Sequence, residues 1–209
     1  MHEKVLSSDS LELLSVLESN SPDLFNGWIL AGGTGLALQL GHRISDDFDF
    51  FRENIDDVRI LHEELRKYRP YEILQETGQT LTLLAGGVKL SFFRAPAPFI
   101  SDTVQYRNFR IAGITDIALM KLIAIHNRGS RKDFIDLYTI LQGDFRLRDY
   151  FALLPKKYDP STINLYSILK SLTYFEDAER EPAPRMLVPF RWEECKAFFL
   201  RVAHSIVIN

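Results

Sequence analysis

The first fifty residues alternate between helical and extended hydrophobic patterns. An apolar stripe at helical spacing, opened by a Ser/Asp cap, predicts a helix over 9–20. A short apolar run predicts a buried strand over 28–30, and the glycine pair after it opens a predicted helix over 34–40. Acidic and aromatic positions then alternate over 48–51, as in a strand with one apolar face. The predicted order is helix, strand, turn, helix and strand.

The next fifty residues predict one more helix and a small antiparallel sheet. Ile55, Val58, Leu61 and Leu65 form the apolar face of a predicted helix over 55–68, which Pro70 closes. Glycines then separate three β-prone runs, as in a hairpin, and two prolines end the sheet segment. These runs cover 71–75, 80–85 and 88–93, and the prolines are Pro96 and Pro98.

The second half of the chain has a helical pattern from about residue 113. The predicted helices cover 115–127, 131–142, 146–154, 161–172 and 190–205. The segment 179–184, with two prolines among alternating charges, has the composition of a linker before the last helix. The pattern therefore predicts an α+β fold, with an α+β core over 1–112 and a helical C-terminal region over 113–209.

Composition excludes several classes of protein. The single cysteine, Cys195, excludes internal disulfides and multi-cysteine zinc sites. No apolar run reaches the roughly 20 residues of a membrane span, and no signal pattern is evident, so we expect a cytoplasmic protein without a membrane partner. Residues 1–104 carry nine Lys/Arg against sixteen Asp/Glu, whereas 105–157 carry ten against five. That asymmetry fits a cleft for metal and polyanion, although an ordinary solvated surface explains it equally well.

The candidate chemistry lies in Gly32-Gly33-Thr34 and in the acidic stretch that follows it. Glycines at a helix start allow backbone N–H groups to crowd around an anion, as phosphate-binding turns do. Asp47 and Asp49, two apart on the predicted strand, would point to the same face and hold Mg²⁺. Taken separately, each pattern is also typical of a capped turn or a solvated strand face. Together they favour a metal and nucleotide site.

Two ordered blocks resemble the AbiEii/AbiGii toxin-type nucleotidyltransferases, a family of the DNA polymerase β-like nucleotidyltransferase fold. The first block runs from Gly32-Gly33-Thr34 through His42-Arg43 and Ser45 to Asp47 and Asp49. The second block comprises Lys121-Leu122, Arg128 and the run from Arg131 to Leu137. The resemblance covers about residues 27–142 and implies a mixed sheet with flanking helices.

The resemblance also implies roles for individual residues. Asp47 and Asp49 would hold Mg²⁺ or Mn²⁺ against a nucleoside triphosphate, while Lys121 would neutralise triphosphate charge. Asp133 and Asp136 would orient Lys121 or the nucleotide. The expected nucleotide-binding residues are Gly32, Gly33, Thr34, Arg43, Ser45, Arg131 and Lys132.

Structural roles remain open for the residues of the second block. Lys121 lies among apolar residues, and its stem could simply pack while its ammonium reaches solvent. Asp136 lies four residues after Lys132 and could pair with it. Asp133 near a helix start favours the helix dipole.

One position departs from the polymerase β-like pattern. Such enzymes usually carry a third carboxylate on a later strand, where this chain has Lys89 and Ser91. Glu72 or Glu76 could substitute from a neighbouring strand. Alternatively, Lys89 could pair with Asp47 or Asp49 and hold the site without metal.

Two functions follow from the resemblance. The first is a Mg²⁺-dependent nucleotidyltransferase that moves a nucleoside monophosphate to a hydroxyl of RNA, such as transfer RNA, or of a protein, in a toxin–antitoxin or phage-defence system with a cognate antitoxin. The second is a catalytically weak nucleotide-binding relic that acts as a binding protein. Retention of both the phosphate turn and the acidic pair favours the enzyme.

Overall fold

The computed structural model describes residues 1–20, 23–54, 61, 65 and 70–206. The described chain divides into two compact units. The first comprises Met1–Pro98 and Asp102–Gly113, and the second comprises Phe99–Ser101 and Ile114–Asn209. The short segment Phe99–Ser101 therefore belongs to the second unit, although residues of the first unit precede and follow it in sequence.

A mixed sheet forms the centre of the first unit. Its described strands are β1 (Ile29–Ala31), β2 (Phe48–Arg52), β3 (Tyr71–Glu76), β4 (Thr80–Ala85), β5 (Val88–Arg94), β6 (Val104–Tyr106) and β7 (Phe109–Ile111). They lie in the order β3-β4-β5-β2-β1-β7-β6. Strand β2 pairs with β1 in antiparallel and with β5 in parallel orientation, so β2 lies inside the sheet with a neighbour on each side. This arrangement confirms the predicted α+β class.

Aromatic side chains on one face of the sheet form the core of this unit. Phe50 on β2 stacks on Phe25 and Phe92 at ring-centroid distances of 4.7 and 5.5 Å. Trp28 packs edge-on against Phe92 at 5.1 Å. Because side chains alternate across a strand, Asp49 and Phe51 project from the opposite face of β2. The acidic and aromatic alternation of the sequence thus corresponds to two distinct faces.

Among the described residues of the first unit, two α-helices border this sheet. They are α1 (Ser8–Asn20) and α2 (Gly32–Leu40). Helix α2 begins at the glycine pair, as predicted, directly after β1. It ends at Gly41, which has a left-handed φ of 67° and donates its N–H to the carbonyl of Ala37. Glycines therefore bound α2 on both sides.

The second unit consists of helices in its described part. They are α3 (Ile114–Arg128), α4 (Arg131–Ile140), α5 (Leu147–Lys157), α6 (Leu165–Ser171), α7 (Glu176–Arg180) and α8 (Trp192–His204). Phe134 of α4 packs edge-on against Phe199 of α8 at 5.4 Å, and both side chains are buried. Nowhere in the described ranges does a helix have the length and hydropathy that a membrane crossing requires.

Several elements differ from the sequence-based expectations. The hairpin β6–β7 was not predicted, and it extends the sheet beyond Pro98 because β7 pairs with β1. Helix α7 was also missed, and it takes up part of the segment predicted as a linker. The helix predicted over 55–68 lies largely outside the described residues, within which only Leu61 and Leu65 appear, both helical and buried.

Candidate functional site

The glycine turn and the acidic strand are brought together by the pairing of β1 with β2. Ala31, the last residue of β1, pairs with Asp49, and Gly32 follows with a left-handed φ of 64°. A Cβ added at Gly32 would lie 3.1 Å from Asp49 Oδ2, closer than nine in ten real Cβ contacts. Gly32 therefore provides both the turn and the space for the carboxylate.

Gly33 provides the space for a guanidinium group. A Cβ added there would lie 2.3 Å from Arg43 Nη2 and 3.3 Å from Ser45 Oγ. Arg43 is only 2% exposed, and its Nη1 donates to the carbonyl of Ile44 at 3.0 Å. The start of α2 thus has a buried cation beside it, which suits an anion-binding turn.

Thr34 connects the turn to the segment before β2. Its Oγ1 lies 2.8 Å from Ser45 Oγ and donates to the backbone carbonyl of Asp47. Thr34 is buried, so its hydroxyl fixes the path of the chain into the acidic strand. The structure therefore places Gly32, Gly33, Thr34, Arg43 and Ser45 around one turn.

Asp47 is held by an ion pair, and it precedes the strand instead of lying within it. Strand β2 begins at Phe48, so the expectation that both carboxylates lie on the strand is wrong for Asp47. Lys89 Nζ on β5 donates to Asp47 Oδ2 at 2.9 Å, which confirms the alternative pairing predicted from the sequence. Both side chains are partly exposed, at 38% and 47%, so the pair is accessible to solvent and to ligands.

Ser91 occupies the strand position beside Asp49. The parallel register pairs Asp49 with Ser91, whose side chain lies on the same face of the sheet.

The two carboxylates suggested from the sequence as substitutes, Glu72 and Glu76, do not reach the position of Ser91. Glu72 on β3 pairs with Leu84 on β4, which in turn pairs with Lys89 on β5. Strand β3 is three strands from β2, so Glu72 is about 14 Å from β2 at ~4.8 Å per strand. Glu76 pairs with Leu81, and Leu81 pairs with Phe92 on the aromatic face of the sheet. Glu76 therefore lies in a row of side chains on the face opposite to Asp49.

The donor set around the turn fits a divalent cation that arrives with a nucleotide. In the parts of the chain that are described, no cluster of three or more His, Cys, Asp or Glu side chains is arranged to hold a metal alone. Mg²⁺ commonly takes one or two carboxylates and completes its coordination with substrate phosphates and water. Asp47 and Asp49 supply two carboxylates beside a phosphate-type turn, so the residues fit Mg²⁺ in that mode.

The second block forms a buried ion cluster within the second unit. Lys121 Nζ lies 2.7 Å from Asp133 Oδ1 and 2.6 Å from Asp136 Oδ2. Arg128 Nε donates to Asp133 Oδ2 at 2.8 Å. Both aspartates are fully buried and Lys121 is 5% exposed. The structure therefore brings Lys121, Asp133 and Asp136 into direct contact.

Electrostatics within this cluster keep Asp133 ionised. Burial alone would raise the pKa of the Asp133 carboxyl, but the charges of Lys121 and Arg128 and their hydrogen bonds hold it below its usual value. Two carboxylates and two cations balance in formal charge, and the Arg128 side chain, 66% exposed, extends from the buried Asp133 to the surface. The alternative in which the Lys121 ammonium reaches solvent is wrong, because the ammonium is paired with buried carboxylates inside the unit.

The remaining residues of the block contact other parts of the second unit. Arg131 Nη1 donates to the carbonyl of Glu181 at 3.1 Å, and its guanidinium lies 4.8 Å from the centre of the Trp192 ring. Glu181 Oε2 accepts from Ser130 Oγ and from the Arg131 N–H at the start of α4. Lys132 is exposed, and the carboxylate of Asp136 contacts Lys121 instead.

Sequence reasoning overlooked two hydrogen-bonded carboxylates, the half-buried Asp46 and the fully buried Asp116. Asp46 Oδ1 accepts from the Ser7 N–H at 2.6 Å and from Ser10 Oγ at 3.0 Å, so it holds the start of α1. Asp116 pairs with Lys157 at 2.7 Å and accepts from the N–H groups of Ile100 and Ser101. Nothing in the local pattern distinguishes Asp46 from Asp47. For Asp116, only its position near the start of a predicted helix gave a signal.

Comparison with known proteins agrees with this geometry. Residues 15–201 match the model of the family described as nucleotidyl transferase AbiEii toxin, type IV toxin–antitoxin system. A protein of Aquifex aeolicus (strain VF5), whose description assigns no function, is 40% identical over 189 residues, which cover 88% of this chain and 90% of that protein.

Two solved structures share the fold. A candidate nucleotidyltransferase from H. pylori superposes with a TM-score of 0.53 at 19% identity, covering 95% of each chain. MenT4, a nucleotidyltransferase toxin of Mycobacterium tuberculosis H37Rv, superposes with a TM-score of 0.54 at 14% identity, covering 93% of this chain and 81% of that one.

Proposed function

Because the chain belongs to the AbiEii nucleotidyl transferase toxin family, we propose that it transfers a nucleoside monophosphate from a nucleoside triphosphate to a hydroxyl group of RNA, with transfer RNA as the leading acceptor. Mg²⁺ is the proposed cofactor, and Mn²⁺ a substitute for it. A cognate antitoxin is the partner that a toxin of such a system would have, and the cytoplasm supplies the nucleotide and the RNA.

The observation that carries the proposal is the contact between the glycine turn and the acidic strand. Gly32 lies against Asp49, and Gly33 lies against the buried Arg43. Backbone N–H groups at the start of the nine-residue helix α2 and the Arg43 guanidinium together suit triphosphate oxygens. Carboxylates and phosphate-binding groups that converge on one turn are what nucleotidyl transfer needs.

Asp47 and Asp49 are the proposed ligands of Mg²⁺. When bound, the cation would polarise phosphate oxygens and neutralise charge that builds up in the transition state. Lys89 donates to Oδ2 of Asp47, so the cation would bind Asp47 through Oδ1 beside the ammonium, and the partial exposure of this pair leaves the carboxylate accessible.

The reaction is written as an in-line displacement. The acceptor hydroxyl oxygen forms a bond to the α-phosphorus, while the bond from that phosphorus to the α,β-bridging oxygen breaks. Pyrophosphate leaves with the electron pair, and the hydroxyl proton passes to solvent. Phosphoryl-type transfers depend mainly on positioning and charge stabilisation, so this step does not demand the third carboxylate that Ser91 replaces.

Lys121 is proposed to help neutralise the triphosphate, with Asp133 and Asp136 as its orienting groups. Support for the orienting role comes from the two contacts of its ammonium, at 2.7 and 2.6 Å. Arg131 and Lys132 remain candidates for nucleotide contact. Of these, Lys132 is the exposed one.

The proposal is tested by incubating purified protein with each α-labelled nucleoside triphosphate, Mg²⁺, total RNA and transfer RNA. We expect label on RNA with the wild type and none with Asp47→Asn/Asp49→Asn. A matched control, Asp102→Asn/Asp144→Asn, also removes two carboxylates, both exposed, and should transfer label normally.

The other outcomes of this assay are equally informative. Label on protein would move the acceptor from RNA to a protein hydroxyl. Nucleotide binding without any transfer would support the nucleotide-binding relic, for which Ser91 beside Asp49 is the motivating observation. Equal labelling by the Asp47→Asn/Asp49→Asn variant would contradict the assigned site.

A further inference from the structure

Lys89 and Ser91 project from the same face of the sheet as Asp49. They lie two apart on β5, and the parallel register places Ser91 directly beside Asp49. Ser91 is 2% exposed, so the position that could have held a third carboxylate is occupied by a buried hydroxyl. The cation of Lys89 is therefore the charged group that β5 contributes to this face.

The ammonium of Lys89 occupies a carboxylate oxygen that a metal would otherwise use. Lys89 Nζ lies 2.9 Å from Asp47 Oδ2. A cation that shared this oxygen would come within a few ångströms of the ammonium and be repelled by it. Asp47, Asp49 and Lys89 together carry a formal charge of −1, whereas three carboxylates would carry −3. The smaller negative charge suits one dication better than two.

We propose that Lys89 takes the place of a second divalent cation at Asp47, so that the site binds a single divalent ion with each nucleotide. Lys89 would act as a positioning residue, through Asp47. The inference rests on the proposed metal-dependent nucleotidyl transfer and deepens it by fixing the number of metal ions. It also explains why β5 carries a lysine and a serine on this face, where an acidic residue would attract a second ion.

The number of bound ions can be counted by native mass spectrometry with Mn²⁺ and non-hydrolysable α,β-imido nucleoside triphosphates. We expect one Mn²⁺ per nucleotide complex for the wild type and for Lys89→Arg, which keeps the cation. Lys89→Met/Ser91→Asp removes the cation and adds a carboxylate, so its complex should hold two Mn²⁺. As a control, Lys196→Met removes an ammonium that pairs with Glu179 in the second unit, and its nucleotide complex should still hold one Mn²⁺.

Two Mn²⁺ in the wild-type nucleotide complex would overturn the inference while leaving nucleotidyl transfer intact. One Mn²⁺ in a folded Lys89→Met/Ser91→Asp complex would also overturn it. If circular dichroism shows that this double variant does not fold, the wild-type count decides. A wild type that binds none of the nucleotide analogues would instead contradict the proposed function, and the inference with it.

Discussion

Asp49 and Ser91 lie side by side on parallel strands, so a carboxylate that faces the glycine turn has a neutral hydroxyl as its neighbour. The carboxylate is therefore spared the repulsion of an acid at that position of β5. This neighbourhood makes the glycine turn, and not a carboxylate cluster, the feature on which nucleotide affinity should depend most strongly.

Replacing Gly32 with alanine should abolish nucleotide binding. Left-handed backbone at a non-glycine residue costs ~1–2 kcal/mol, and the new Cβ would press against Asp49 Oδ2. Gly87→Ala is the matched control, because φ is also positive there but its Cβ would meet no atom within 4 Å. Both variants should lose stability in urea titrations, and only Gly32→Ala should lose nucleotide in equilibrium binding. Normal affinity in Gly32→Ala would contradict the role of the turn.

Lys121→Met should destabilise the second unit strongly. It removes a partner of Asp136 and a partner of Asp133, both fully buried, and breaking such a cluster typically costs ~3–5 kcal/mol. Lys170→Met, at an exposed lysine, should change the free energy of unfolding by less than ~0.5 kcal/mol. Chemical denaturation of both variants provides the comparison. A Lys121→Met protein as stable as the wild type would argue against the buried cluster.

Acid should destabilise the protein partly through Asp116. Burial raises the pKa of this carboxyl, but Lys157, Ser101 and the Ile100 N–H outweigh burial and hold it below the usual value. The folded form therefore binds fewer protons than the unfolded form, in which the pKa is about 3.9. This contribution is complete above the unfolded pKa and is lost as the pH falls through the lowered value.

Thermal unfolding measured from neutral to acidic pH checks the contribution of Asp116. The paired variant Asp116→Asn/Lys157→Met removes both charges, and its melting temperature should fall less steeply with acid than that of the wild type. An identical acid dependence in the two proteins would show that Asp116 is not a source of it.

Cys195 should be inert in the folded protein. Its side chain is fully buried, and burial raises the pKa of the thiol to about 12, so the reactive thiolate is scarce at neutral pH. A disulfide reagent such as DTNB should react only after denaturant is added, with one thiol per chain. Rapid labelling of the native protein would show that α8 opens readily.

The candidate site was predictable from sequence where its parts are close along the chain. Asp49 follows Gly32 by only 17 residues, and one pairing of short strands brings the two together. The pairing of Lys89 with Asp47 was one of two alternatives, because a strand pattern gives the face of a residue but not the reach of its side chain.

The elements that were missed depend on partners that are distant in sequence. Strands β6 and β7 have three residues each, too few for an alternating pattern, and β7 is stabilised through β1 about eighty residues earlier. Asp116 resembles an ordinary first-turn acid until Lys157 and Ser101 are placed around it. Burial of a charge is settled by such distant partners, which local periodicity does not contain.

The segment Phe99–Ser101 limits which parts of this chain can be exchanged with the corresponding parts of its relatives by recombination. A recombination event with one breakpoint near residue 113 would transfer Asp116 and Lys157 but leave behind Ser101, whose hydroxyl donates to Asp116. A chimera made that way would combine the buried Asp116 carboxylate with residue 101 of the relative, which need not be a hydroxyl donor. Chimeras that carry 99–101 together with 114–209 should therefore be the viable ones, and substitutions at Ser101 and Asp116 should be inherited as a pair.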